Sequence, residues 1–249
     1  MCIAAFALDV GPYAAVIISN RDEWLHRAAQ AMDWWPDQIT LAGIDLTAGG
    51  TWLGLSKAGR FSMITNIRSS SLDEKIYAQS RGKLPLEWLN GAHNSKEFAS
   101  LLSETAREYA GYNIIYGDLK TQALLHFNNQ EGVVSQLETK QIHGLSNASL
   151  NTPWPKLVRL KASLESLLAM HDAADTQKFS SELFQTLTDK TNFDDSPLSA
   201  INVDIDNFHG TGSSYGRRCS TIILVHRDGI VSVQEIQRAG ISHSFRWKL

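Results

Sequence analysis

The sequence predicts an α+β fold of antiparallel sheets covered by helices. Two observations carry this expectation: apolar runs joined by tight turns near both ends of the chain, and blocks of helical periodicity between them. The run Cys2 to Leu8 passes through Gly11-Pro12 into Ala14 to Ile18, which reads as a β-hairpin. Its second strand ends in the polar tetrad Asn20-Arg21-Asp22-Glu23. Hairpin strands fill the chain to residue 66, with Gly59 punctuating one pair. Residues 75 to 109 read as helices broken near Pro85 and Gly91. Strands return at Asn113 to Leu119, Gln122 to Phe127, Gly132 to Leu137 and Gln141 to Leu145. Pro155 to Met170 and Thr176 to Leu187 have helical periodicity, with Leu157, Leu160, Leu164 and Leu167 on one face. The last strands, Ser220 to His226 and Ile230 to Ile236, flank the hairpin turn Arg227-Asp228-Gly229. Phe193 to Gly216, rich in Asp, Asn, Ser and Gly, reads as a loop.

Composition narrows the function classes. With 249 residues, 43% of them hydrophobic, one domain over residues 1–249 can bury a full core without disulfide or metal. A net charge of -3 gives no electrostatic reason to expect nucleic acid. The apolar start lacks a basic flank and meets Asp9, so it reads as a strand and not as a secretory signal. No run approaches the roughly 20 apolar residues of a membrane span, so an integral membrane protein is not expected. Cys2 and Cys219 suit a reduced, cytoplasmic compartment better than a disulfide framework. Neither His-x-x-x-His nor Cys-x-x-Cys spacing occurs, so no metal centre is expected.

Cys2 is the residue that points to chemistry. If Met1 is removed, one residue carries a thiol nucleophile and an α-amine that can take its proton. The two groups ordinarily titrate at about 8.5 and about 7.7 to 8.0, so the transfer carries little penalty near neutral pH. A retained methionine would withhold that base. The hairpin returns the tetrad to the start of the chain, so Asp22 or Asn20 can sit beside Cys2 and hold the ammonium or orient the thiol. The alternative is a small apolar residue opening a buried strand, followed by a solvated loop.

Motifs in order along the chain carry a resemblance. Met1-Cys2-Ile3, Asn20-Arg21-Asp22-Glu23, Gly49-Gly50-Thr51-Trp52-Leu53-Gly54, Thr65-Asn66, Gly144-Leu145-Ser146-Asn147-Ala148, Thr152-Pro153-Trp154 and Tyr215-Gly216-Arg217-Arg218 resemble the NRDE, or transport-and-Golgi-organisation type 2, family. That family in turn is similar to cysteine N-terminal nucleophile hydrolases such as penicillin V acylase, bile salt hydrolase and acid ceramidase. The resemblance implies their four-layer αββα sandwich. It also implies a catalytic set of Cys2, Asp22, Asn66, Asn147 and Arg218, with the two asparagines facing a developing oxyanion. The hydrolases carry an arginine before their Asn-x-Asp element, where this chain has Ser19 and places Arg21 inside the element.

From the residues alone, Asn66 can equally begin a turn, Asn147 order a loop, and Arg218 end a solvated strand. Downstream, His209-Gly210-Thr211-Gly212-Ser213-Ser214 offers backbone amides beside Arg217 and Arg218 that suit an anionic group. Trp24, Trp34, Trp35 and Trp52 flank the tetrad as pocket wall or as core. Two functions follow. The family resemblance implies haem binding and trafficking, or a link to acyl-coenzyme A and lipid homeostasis; the pocket residues expected to contact such a ligand are Cys2, Asn20, Arg21, Arg217 and Arg218. The alternative is a Cys2-dependent amidohydrolase acting on linear N-acyl bonds. Either takes a small-molecule ligand.

Overall fold

The structure is a computed structural model and describes residues 2–67, 79–171 and 175–249. Its strands are β1 (Cys2–Val10), β2 (Tyr13–Trp24), β3 (Ala29–Trp34), β4 (Thr40–Asp45), β5 (Leu53–Ser56), β6 (Arg60–Asn66), β7 (Tyr112–Asp118), β8 (Ala123–Asn128), β9 (Val133–Gln136), β10 (Ile142–Leu145), β11 (Asp204–Ile205), β12 (Tyr215–His226), β13 (Ile230–Gln237) and β14 (Ser242–Lys248). The helices are α1 (Lys83–Asn90), α2 (Ser95–Thr105), α3 (Pro155–Met170) and α4 (Thr176–Leu187).

Two compact units result, neither of them a continuous stretch of chain. The first comprises residues 1–27, 138–146 and 151–248, and the second 28–137, 147–150 and 249. In the first, the sheet order is β10-β1-β2-β12-β13-β14, with β11 on β12 and every neighbour antiparallel. Helix α3 packs on β1 and β10, and α4 on β2 and β12. Ile3, Ala5, Val16, Ile18, Ile222 and Leu224 of the sheet meet Leu157, Leu160, Leu164, Phe179 and Leu183 of the helices. The alternate residues Ala4, Phe6 and Leu8 are buried as well. Burial of both faces explains why β1 is a continuous apolar run instead of an alternating one.

In the second unit β3 to β9 lie in chain order, again antiparallel. Helix α1 packs on β5, β6 and β7. Trp88 meets Tyr116 edge-on at 5.2 Å inside a cluster with Phe98, Leu102, Ile114 and Phe127. Sheets flanked by helices in both units agree with the α+β, N-terminal nucleophile hydrolase-like class.

Local signals account for most boundaries. Pro155 opens α3, where its missing N–H costs nothing. Asn94 and Glu97 form a capping box on α2, and the Asp175 side chain caps α4 through the Lys178 N–H. Gly229, at φ +85°, closes the β12–β13 turn. Three expectations need correction. Pro85 does not break a helix, because it lies in the first turn of α1, where no N–H is required. The second strand is longer than Ala14 to Ile18: β2 runs from Tyr13 to Trp24, so the tetrad forms its last stretch instead of a loop after it. A further strand, β14, follows the last expected hairpin. Residues 75–78 of the expected helical block, and Met1, lie outside the described residues.

Candidate active site

Asn20 and Arg21 of the tetrad are paired with β1 on one side and β12 on the other, while Asp22 and Glu23 run past the start of β1 and pair with β12 alone. Cys2 faces Arg21 across the β1–β2 ladder, and Asp22 faces Arg217 across the β2–β12 ladder. Buried polar groups in a central strand require partners, and these arrive from segments far along the chain. Asn20 is fully buried; its Nδ2 donates to the carbonyls of Leu187 and Ile201 at 2.8 and 3.0 Å, and its Oδ1 accepts from Ser220 Oγ at 2.6 Å. Its amide therefore ties the C-terminal end of α4 to the sheet and has no free face for a ligand.

Cys2 is half-buried and opens β1. Its sulfur receives a hydrogen bond from the Asp22 backbone N–H. Burial pushes the thiol up, while that N–H and the Arg21 guanidinium pull the other way. The Asp22 carboxyl is 1% exposed, and burial raises it from 3.8 to about 7, against the downward pull of Lys156 and Arg217. The structure thus brings a thiol and a carboxyl poised near neutrality to one strand end, where such a pair suits proton transfer.

A bulge between Arg217 and Cys219 turns the intervening Arg218 out of the ladder. Its Nη1 is shared among the carbonyls of Trp24, Leu25 and Arg27 at 2.9, 3.0 and 2.7 Å. Arg218 therefore clamps the chain that leaves β2. Arg218→Ala is expected to lower stability by about 2 to 3 kcal/mol and to speed hydrogen exchange in residues 24–27, measured by denaturant unfolding and exchange mass spectrometry. Arg217 donates to Ser220 Oγ at 3.0 Å, and its buried Nε has no hydrogen-bond partner among the described residues. Burial lowers its affinity for a proton.

The other cysteine is inert by placement. Cys219 is 2% exposed, and burial, followed by the Glu235 carboxylate, raises its thiol well above the ordinary value. Trp24 packs edge-on to Tyr215 at 5.5 Å and tilted on Phe208, and the Tyr215 hydroxyl donates to the Asp22 carbonyl at 3.0 Å. Trp52 is buried, Trp35 donates to the Ala42 carbonyl, and Trp34 carries the Lys57 ammonium over its ring. The glycine loop forms a 3-10 turn at Phe208–Gly210, with Gly210 and Gly212 at positive φ.

Asn66 and Asn147 belong to the second unit, which brings them together. Asn147, at φ +55°, donates from Nδ2 to the Asn66 carbonyl at 2.9 Å, while its buried Oδ1 has no partner among the described residues. The Asn66 residue itself is exposed at the end of β6. Behind them, fully buried Asn113 donates to the Ala148 carbonyl at 2.8 Å and bonds His126 Nε2 at 2.9 Å, which fixes the turn.

Sequence reasoning missed Asn113, His126 and Lys156. Lys156 is buried, with Nζ donating to the Leu198 carbonyl at 2.8 Å. A signal was present, since Lys156 lies one turn before Leu160 on the helix stripe that continues to Leu164. Among the described residues no group of three or more His, Cys, Asp or Glu side chains could hold a metal ion, and no helix is long and apolar enough to cross a membrane.

Antiparallel sheets flanked by helices give this chain an N-terminal nucleophile hydrolase-like fold. Its fold is similar to that of a penicillin V acylase from Agrobacterium tumefaciens, with a TM-score of 0.56 at 10% identity, covering 100% of this chain and 86% of that one. The family model for Transport and Golgi organisation 2 matches residues 1–239, and the chain belongs to that family. It is 29% identical over 269 residues to the Transport and Golgi organization protein 2 homolog of Bos taurus, covering 100% of this chain and 96% of that protein. It is also 24% identical to the Transport and Golgi organization protein 2 of Drosophila melanogaster, covering 99% of this chain and 95% of that protein.

Proposed function

We propose that the chain is a cytoplasmic acyl-transfer hydrolase in which Cys2 takes the acyl group of a linear amide. One observation carries this: the Cys2 sulfur rests on the Asp22 N–H while the Asp22 carboxyl is raised to about 7. The thiol gives its proton to the α-amine that removal of Met1 exposes, and sulfur attacks the carbonyl carbon. The C–N bond breaks, the amine leaves with the proton, and water hydrolyses the thioester to a carboxylic acid. Asp22 holds the ammonium that forms. The acylase whose fold it shares supports an acyl substrate. N-acyl amino acids, acylated lactones, penicillin V and conjugated bile acids form the test panel. Turnover of at least one, lost with Cys2→Ala, supports the proposal; no turnover by Met1-processed protein would contradict it.

The haem-trafficking expectation fits these residues less well. Arg218 spends Nη1 on backbone carbonyls, Arg21 is 6% exposed, and the Asn20 amide is already bonded, while Arg217 keeps a donor with no hydrogen-bond partner among the described residues. Haemin titration separates the two. The hydrolase proposal expects non-saturable uptake that Cys2→Ala does not change. A saturable Soret change with a stoichiometry near one, weakened by Cys2→Ala, would favour haem.

A further inference from the structure

Among the described residues β14 pairs with β13 alone, in a register unbroken from Ile230↔Lys248 to Ile236↔Ser242. Edge strands are commonly short, bulged or covered, because their free backbone groups invite another strand. β14 is 7 residues long and carries no bulge. The Gln237 N–H bonds the Ile241 carbonyl at 2.8 Å, which sets the alternation of the ladder. His243, Phe245 and Trp247 therefore turn their backbone groups to β13, and Ser242, Ser244, Arg246 and Lys248 turn theirs to the open edge.

We propose that this edge pairs with the same edge of a second copy of the chain, antiparallel about a two-fold axis at Phe245. The sequence Ser242-His243-Ser244-Phe245-Arg246-Trp247-Lys248 is self-complementary in that register. Ser242 meets the partner's Lys248 and Ser244 the partner's Arg246, all in hydrogen-bonded pairs, so no like charges stand opposite. On the other face Phe245 meets its own copy in the closer, non-hydrogen-bonded spacing, and His243 meets the partner's Trp247. Shifting the axis to Arg246 sets guanidinium against guanidinium, and shifting it to Ser244 leaves Lys248 outside the paired strand. A groove of about 310 Å3 between α4 and the face of β12, β13 and β14 is lined on its β14 side by Ser244 and Arg246. An isologous interface of this kind joins two sheets into one.

Sedimentation of the full chain over a wide concentration range tests the proposal. A reversible dimer is expected. Ser244→Pro removes an outward N–H without touching the β13 ladder and should give monomer with unchanged far-UV circular dichroism. Ser244→Glu, facing the partner's Arg246, should tighten the dimer roughly severalfold, and Ser244→Lys should weaken it by a similar factor. The charge pair keeps the test open if the proline variant misfolds. A wild-type chain that stays monomeric throughout, or a dimer indifferent to the charge at position 244, overturns the proposal.

Discussion

Cys2→Ala is expected to abolish amide turnover completely, whereas Cys2→Ser leaves a weak remnant. Alanine removes the less buried of the two thiols, since Cys219 is 2% exposed and its thiol lies well above the ordinary range. Serine keeps the shape and a nucleophilic oxygen, but a hydroxyl is far less nucleophilic at neutral pH. Both variants should fold normally, since Cys2 is half-buried at the first residue of its strand. Activity should also appear only in protein that has lost Met1, because the amine is the base. Steady-state hydrolysis with processed and unprocessed protein reads both effects.

Asp22→Asn is expected to separate stability from activity. The folded Asp22 titrates at about 7 instead of 3.8, so folding favours its protonated form. Its contribution to stability is therefore full below pH about 4 and is lost as pH rises through 7. Asparagine mimics the protonated carboxyl at every pH. The variant should match the wild type near pH 4 and exceed it at pH 8, by on the order of 4 kcal/mol at most. Turnover should nevertheless fall roughly 100-fold or more, because a neutral amide cannot hold the ammonium. Denaturant midpoints measured across that pH range, beside hydrolysis rates, check both halves. Equal pH dependence of stability in the two proteins would show that Asp22 is not a strained carboxyl.

How much was legible in the sequence depended on whether a signal was local. The bounds of α3 and α4 match the expected Pro155 to Met170 and Thr176 to Leu187, since leucine spacing, Pro155 and the Asp175 cap all lie within one helix. The β12–β13 turn was equally visible through Arg227-Asp228-Gly229. The extension of β2 was not, because the groups that let Asn20 stay buried are Ser220 and the carbonyls of Leu187 and Ile201. The alternation of β14 is written in the chain, but its inner residues are only half-buried and so give a faint pattern. The interleaved units leave no boundary in composition for the same reason: each is assembled from separated segments. The closeness of Asn66 and Asn147, 81 positions apart, could be expected only from the family resemblance.

Intact-mass spectrometry of Met1-processed protein, quenched during reaction with the amide panel, tests the central claim most directly. The proposal predicts a mass increase equal to the acyl group, mapped to the peptide that begins at Cys2 and absent from Cys2→Ala. Processed protein that shows neither adduct nor turnover with any amide, while binding haemin saturably, would contradict it.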